Sequence, residues 1–540
     1  MNKLKGYCGK ILHLDLSREK FFIEEPTDSF YRTYMGGSCL GAYYVLNEME
    51  QGIDAFDPRN VLVFAVSPVT GAKISGASRS NINAKSPLTN TLGDSQGGGF
   101  WGPELKYAGF DAIVIKGKAN SPVYLWIHDG QFELKDASHL WGKYTKEAQT
   151  IIREELGDKK IRVALIGPGG ENLVRYACVA NELTHFNGRN GMGAVMGSKN
   201  LKAIAVKGSN KPKFHDEEVI KELARYGANQ MKENPAMIGL RDCGTAGVVS
   251  VNQSLGGLPT RNWLSGSFSG AEKISEKELN NTILKKREGC RWCVVKCKRV
   301  VEAQTPYEVD PDYGGPEYET IAMLGSCLEI DDLVGISKAN ELCNKYTIDT
   351  ISLGGTIAFA MECFEKGLIT KEDTGGINLK FGNVNAVLQL IEMIGNRDGI
   401  GDILAEGSAR AAIKFGSKAK NYAIHVKKQE LPAHMPRVKA SLSIAYACNP
   451  FGADHESSEH DTSIMNEPLS EPITSLGMNK AVKLNELNFE KVKLFTYSQR
   501  AYSLLDTLGL CMFCFGFWTL YKMNHVILLL NAVIGWETNL

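Results

Sequence analysis

The sequence predicts an α+β protein with a β-rich N-terminal domain followed by two mostly α-helical domains. Across residues 1–208, short β-branched runs (Val61 to Val66, Ala112 to Lys116, Val123 to Ile127, Ile161 to Ile166, Ala203 to Val206) alternate with glycine-rich turns, the texture of closely spaced strands. After GSNKPKF the period changes. Glu217 to Tyr226, Asp332 to Tyr346 and Asn385 to Ile394 place apolar residues three and four apart, as helices with one buried face do. The polar stretch FGSKAKN then separates two ordered regions, so the expected domains are 1–208, 209–415 and 416–540.

Composition bounds the function. Disorder needs low hydrophobicity with high net charge, and a chain with 43% apolar residues and 61 basic against 61 acidic side chains has neither. Its 540 residues suffice for about three or four units of ordinary size. Zero net charge argues against nucleic acid or an anionic membrane as a general partner, since both need a basic surplus. Thirteen cysteines are too few for a disulfide scaffold and odd in number, so thiols are expected. The N-terminus MNKLKGYCGKILHLDLS interrupts any apolar run that a secretory signal would need. The apolar stretch Val526 to Trp536 is about half of the ~20 residues that a membrane span requires. A cytoplasmic protein is expected.

The sharpest chemical signal is Cys290-Arg-Trp-Cys293-Val-Val-Lys-Cys297. Three thiolates at these spacings can converge on one centre where the backbone is a turn entering a helix, as cubane iron-sulfur sites and some zinc sites require. A [4Fe-4S] cluster takes a fourth thiolate, for which Cys327, Cys343, Cys363, Cys448, Cys511 and Cys514 are candidates. A zinc knuckle would want a nearby Cys or His, and residues 298–326 contain neither.

The glycine clusters form a second constellation: Gly36-Gly37-Ser38, Gly93-Asp94-Ser95-Gln96-Gly97-Gly98-Gly99 and Asn187-Gly188-Arg189-Asn190-Gly191-Met192-Gly193. Glycine lets the main chain approach a ligand and present N–H groups to phosphate oxygens, so these loops are either tight turns or the cradle of a phosphorylated cofactor. Neither GMGAVMGSK nor Ile166-Gly-Pro-Gly-Gly170 completes a P-loop or a G-x-G-x-x-G turn. Arg79 and Arg189 beside them are candidate phosphate forks.

At this point a family resemblance enters. GGFWGPELKYAGFDAIVIKGKA, GRNGMGAVMGSKNLKAIAVKG, the triple-cysteine segment, GPEYET, GADH and DTLGLC, in this order from about residue 5 to the C-terminus, resemble the tungsten-containing aldehyde ferredoxin oxidoreductases. The resemblance implies a β-rich domain cradling two pterins, a tungsten or molybdenum held by pterin sulfurs, a neighbouring [4Fe-4S] cluster and a Mg2+ between the pterin phosphates. It makes Cys511 the fourth cluster ligand beside Cys290, Cys293 and Cys297, and Cys514 a bystander. Asp506 and Leu510 resemble pterin contacts, and Arg79, Gln96, Gly98, Gly188 and Arg189 match positions that hold pterin and phosphate.

The chain also departs from the family pattern. His185 and Phe186 stand where relatives often carry Arg-Ala, so an imidazole is expected in place of one phosphate-binding arginine. Asp349-Thr-Ile-Ser-Leu353-Gly lacks a Gly-Leu-Asp ending, which leaves Asp349 as its pterin contact. Lys428 and Met435 stand where relatives tend to have Gly and Asp. Relatives usually continue some tens of residues beyond the position of Leu540, so a fragment or a short variant is expected.

The chemistry implied is oxidation of an aldehyde to a carboxylate, with electrons leaving through the cluster to ferredoxin or another one-electron carrier. Acid/base work falls to Glu319 first and Glu317 second, with His455 on the aldehyde oxygen or a metal oxo group; His434 and His460 read as structural. Lys285, Lys286, Arg287, Lys296, Lys298 and Arg299 around the cluster loop are either a basic docking patch for the carrier or only a solvated face. Relatives associate as homodimers or with electron-transfer subunits. Two alternatives stand beside this reading. One is another reaction on the same scaffold, on glyceraldehyde-3-phosphate or an aromatic thioester; the other is an iron-sulfur electron-transfer or structural subunit without a pterin metal.

Overall fold

A strand buried on both faces needs partners on both sides and a core above and below. Leu62–Ala65 has that character, and in the computed structural model, which describes residues 4–539, it pairs antiparallel with Ala112–Lys116 on one side and Ser80–Lys85 on the other. The resulting six-stranded sheet runs Lys20–Glu24, Ile11–Asp15, Ala112–Lys116, Leu62–Ala65, Ser80–Lys85, Leu92–Gly97. A second six-stranded sheet runs His185–Asn187, Val179–Asn181, Arg162–Leu165, Leu201–Lys207, Val123–His128, Gln131–Asp136. The sheets share one core, in which Phe64, Ile82 and Ile113 meet Leu125, Ile204 and Val206, with Trp101 and Val195 from intervening helices.

The last strand of the first sheet corrects the sequence reading. Leu92–Gly97, taken there as a glycine-rich turn, is an edge strand that sets Gln96 opposite Asn81 and Asp94 opposite Asn83. Its polar, glycine-rich composition hides the alternation that normally marks a strand.

The remainder is mostly helical, as the periodicity predicts. Glu217–Glu233 and Val384–Asn396 extend two of the expected segments and Leu333–Tyr346 matches the third, and Asp216, Asp332 and Asn383 cap them by accepting from first-turn N–H groups. Thr350–Glu365 is apolar nearly all round and runs through the middle of the largest core. FGSKAKN folds as a short 3-10 segment whose Ala419 is fully buried in that core, which continues to Ala453. A separate core joins Glu217–Glu233, Phe489–Thr507 and Met523–Ile534 to Val69, Ile74 and Ala77 of the N-terminal region. Val526 to Trp536 therefore belongs to a packed helix end, and among the described residues no helix is long and apolar enough to cross a membrane.

One buried ion pair anchors the loop that follows Leu62–Ala65. Lys106 Nζ lies 2.5 Å from Asp111 Oδ1 and donates to the Ser67 carbonyl, while Tyr31 Oη and the Gly9 N–H donate to Asp111 Oδ2. Both charged side chains are fully enclosed. Asp111→Ala leaves the Lys106 charge unpaired inside the protein, so a loss of about 3–5 kcal/mol in chemical denaturation is expected.

Candidate functional site

A cavity of about 700 Å3 opens where the N-terminal sheets meet the helical part. The triple-cysteine segment enters it as the connection between two short antiparallel strands, Leu284–Glu288 and Lys298–Val301. The connection is clamped onto the N-terminal region. The Arg291 N–H donates to the Gly99 carbonyl, the Arg291 guanidinium pairs with Glu104 at 2.8 Å, and the Val294 N–H donates to Ser75 Oγ. Cys511 arrives from the opposite end of the chain. Its N–H donates to the Gly76 carbonyl at 2.9 Å, and Ser67 Oγ donates to the Leu508 carbonyl three residues before it. Cys290, Cys293, Cys297 and Cys511 all line the cavity as free thiols.

Cys514 is buried beside Cys293 and Cys511, and its thiol, with the Arg79 guanidinium, holds the Cys511 thiol down to about 6 against the effect of burial. Burial and the neighbouring thiols push Cys290 up to about 11 and Cys297 well above the ordinary range. Several thiolates in one enclosed space repel one another, and a bound cationic centre relieves that cost.

The two carboxylates of GPEYET part company. Glu317, immediately before the helix Tyr318–Leu324, accepts from Thr245 Oγ1 and lies 3.0 Å from Lys298 Nζ. Against the cost of burial, Lys298 and Thr245 hold its carboxyl below the ordinary glutamate range. Glu319, one residue into the helix, turns the other way. Its Oε2 accepts from the Ala433 N–H at 2.7 Å; its Oε1 lies 3.2 Å from His434 Nε2 and 3.4 Å from His455 Nε2, without an aligned hydrogen bond to either.

The candidate cofactor residues divide in the same way. Arg79, Gln96, Gly98, His185, Phe186, Gly188, Arg189 and Asp349 line the cavity. Arg79 Nε, Arg189 Nε and His185 Nε2 are buried without a hydrogen-bond partner. Burial, with a contribution from Lys298, drives His185 well below the ordinary histidine range, so it stands there as a neutral ring. Asp349 caps Thr350–Glu365 by accepting from the Ile351 and Ser352 N–H groups, and Arg189 reaches the same carboxylate at 3.2 Å. Asp506, in the last turn of Phe489–Thr507, is raised well above the ordinary range by burial and by Asp94. Leu510 differs: its side chain is 1% exposed and packs in the core with Leu505 and Leu508.

The glycines have two separate tasks. A methyl on Gly37 would meet the Asp506 carbonyl oxygen at 2.3 Å, and one on Gly193 the Cys178 carbonyl oxygen at 2.2 Å, so these serve chain-to-chain packing. Gly98 and Gly188 face the cavity. A methyl on Gly98 would lie 2.7 Å from Cys290 Sγ, and one on Gly188 would meet nothing within 4 Å.

With this geometry in place, comparison with known proteins is decisive. Residues 11–208 match the aldehyde ferredoxin oxidoreductase N-terminal domain, and residues 222–540 match aldehyde ferredoxin oxidoreductase domains 2 and 3. The chain belongs to the aldehyde ferredoxin oxidoreductase family. It is 40% identical to a tungsten-containing aldehyde ferredoxin oxidoreductase of Pyrococcus abyssi, over 98% of this chain and 85% of that protein. It is also 35% identical to an aliphatic sulfonate oxidoreductase WOR-like subunit of Pyrococcus furiosus, over 84% of this chain and 75% of that protein. The active-site complex BamBC of benzoyl coenzyme A reductase shares the fold, with a TM-score of 0.85 at 24% identity over 99% of this chain and 86% of that one.

For this family member the basic patch around the cysteine loop is largely neutralised. Lys285 pairs with Glu302, Lys286 with Glu288, Arg287 with Asp242 and Lys298 with Glu317, while Arg299 is buried on main-chain carbonyls. Sequence reading sees the cations because they are near one another and misses most of their partners because Asp242, Glu302 and Glu317 lie on other segments. It also misses Lys439, placed between His434 and His460, and Asp94, which acts on Asp506, because both settings exist only in three dimensions. Lys298→Met tests the Glu317 assignment. A carboxyl held low adds stability above the ordinary glutamate pKa, and that stability is lost as pH falls through the folded value. The variant's deficit in denaturation is therefore expected to be largest near neutrality and to shrink below about pH 4.

Proposed function

We propose that this chain oxidises aldehydes to carboxylic acids at a tungsten or molybdenum centre carried by two pterins. Electrons pass through a [4Fe-4S] cluster to ferredoxin or another one-electron carrier. The observation that carries this reading is the placement of Glu319 and His455 on the same cavity as four free thiols and the unpartnered guanidinium nitrogens of Arg79 and Arg189.

The residues fit the groups. Cys290, Cys293, Cys297 and Cys511 are the donor set for the cluster. Asp506, whose carboxyl burial raises above the ordinary range, would accept N–H donors from a pterin ring, and Arg79 and Arg189 would offer free N–H groups to its phosphates and an accompanying Mg2+ site. Arg79 sits within the field of Cys511, Asp506 and Cys290 together, so one guanidinium touches the surroundings of both groups. When bound, the pterin metal accepts the electron pair of the oxidation, and the cluster hands it on in single-electron steps.

The protein's own part is protonic. Converting an aldehyde and water to a carboxylate releases two electrons and three protons. Glu319 takes a proton from the attacking water, because Oε1 faces the cavity unpartnered while the Ala433 N–H fixes Oε2. His455 donates from Nε2 to the carbonyl oxygen. Glu317, committed to Lys298 and Thr245, supports the cysteine loop instead.

Anaerobically purified protein is expected to contain tungsten or molybdenum together with iron, and to reduce a low-potential dye with aliphatic, aromatic or phosphorylated aldehydes. No turnover with any aldehyde at full metal loading sinks the reading; turnover with a sulfonate or a thioester alone moves it to another substrate on the same scaffold. Glu319→Gln is expected to lower kcat by about 10²- to 10⁴-fold with metals retained. Cys511→Ser is expected to remove or convert the cluster's absorption, and an unchanged spectrum would place the fourth ligand elsewhere.

A further inference from the structure

Glu319, His434 and His455 offer one carboxylate oxygen and two ring nitrogens within 4.8 Å of one another, a geometry that also suits a metal ion. The groups behind the histidines decide against that use. His460 Nε2 lies 2.9 Å from the His455 carbonyl, which can only accept, so Nε2 carries the proton and Nδ1 is an acceptor. That Nδ1 lies 3.3 Å from Lys439 Nζ. His434 Nδ1 lies 2.9 Å from the same ammonium and 3.3 Å from the Asn252 amide nitrogen, two donors, so it too is an acceptor. Its proton is therefore on Nε2, the nitrogen facing Glu319. Both rings are buried and held well below the ordinary histidine range by burial and by Lys439, which leaves each with a single ring proton.

Resting on the acid/base reading of Glu319 above, we infer that Lys439 is a positioning residue: it holds His434 and His460 as Nε2–H tautomers. His434 then turns an N–H toward Glu319, and His460 anchors the main chain at His455. The consequences are specific. His434 has no lone pair on the cavity side, so this trio is not a metal site. With the His434 proton on Nε2 but not aligned on Glu319, and His455 turned to substrate, Oε1 stays free to accept a proton.

Lys439 is 3% exposed and is faced by His434, His460, Glu319, Glu459 and Asp461, the last paired with Lys491. Burial pushes its ammonium down to about 8 against the pull of Asp461, Glu319 and Glu459. The charge is in place below that pH and is lost as pH rises through it.

The test uses holoenzyme of known metal content. Lys439→Met and His434→Leu are expected to lower kcat by about 10- to 100-fold with little change in KM, as loss of an orienting partner does. His434→Gln keeps an acceptor toward Lys439 and a donor toward Glu319, and recovers most of the loss in His434→Leu. The parent's kcat falls above about pH 8, and that alkaline limb is absent in Lys439→Met. An unchanged kcat and pH profile in fully loaded Lys439→Met overturns the proposal. A measurement independent of turnover, and of whether the variants fold, is the 15N spectrum of the parent labelled at histidine: a protonated Nε2 and bare Nδ1 at His434 support the proposal, and the reverse tautomer overturns it. If the parent turns over no aldehyde, the reading of the site fails separately and the 15N spectrum still decides the tautomers.

Discussion

The site depends on the C-terminal segment docking against the loop that follows Leu62–Ala65. Two main-chain contacts carry this, from Ser67 Oγ to the Leu508 carbonyl and from the Cys511 N–H to the Gly76 carbonyl. Without them three thiols would wait at one end of the cavity for a fourth more than two hundred residues away in sequence. The loop is itself held by the buried Lys106 and Asp111 pair through the Ser67 carbonyl, so an ion pair remote from the chemistry supports the cysteine that completes the set. Gly37 adds to this constraint, since the space a side chain would take is filled by the Asp506 carbonyl.

Around that frame the cavity separates its charges by task. On the cysteine side, Glu317 and Lys298 neutralise one another beside Cys297. On the opposite side, Glu319 meets imidazoles and keeps one oxygen free. Two carboxylates two residues apart thus differ because one precedes the helix Tyr318–Leu324 and the other lies within its first turn. On the function proposed above, such division would put proton transfer and electron exit on different walls and keep a buried base from being tied up by the cations beside the thiols.

Much of this was legible in the sequence, for identifiable reasons. Apolar runs such as Leu62–Ala65 and helical periodicity in Leu333–Tyr346 gave the α+β layout, and the eight-residue cysteine spacing located the thiol loop. The fourth thiol and the cavity-facing carboxylate came from the family resemblance, because no local pattern links residue 297 to residue 511. What escaped was pairing. The partners of Lys285 and Arg287 lie at Glu302 and Asp242, the strand Leu92–Gly97 is disguised by glycine, and Lys439 gains its setting only from two histidines on other segments. Leu510 is a motif residue whose side chain packs in the core, which leaves its main chain as the part that could meet a pterin.

The neutralised strands flanking the cysteine loop bear on how a redox partner arrives. A field of uncompensated cations would speed encounter with an acidic protein and make the rate fall steeply with salt. Here most of those cations are paired with neighbouring carboxylates, so association of a carrier through this face would proceed at the about 10⁵–10⁶ M⁻¹s⁻¹ of an unsteered encounter. Its rate would be nearly indifferent to ionic strength, and selectivity among carriers would rest on shape and lifetime of the contact instead of on long-range attraction.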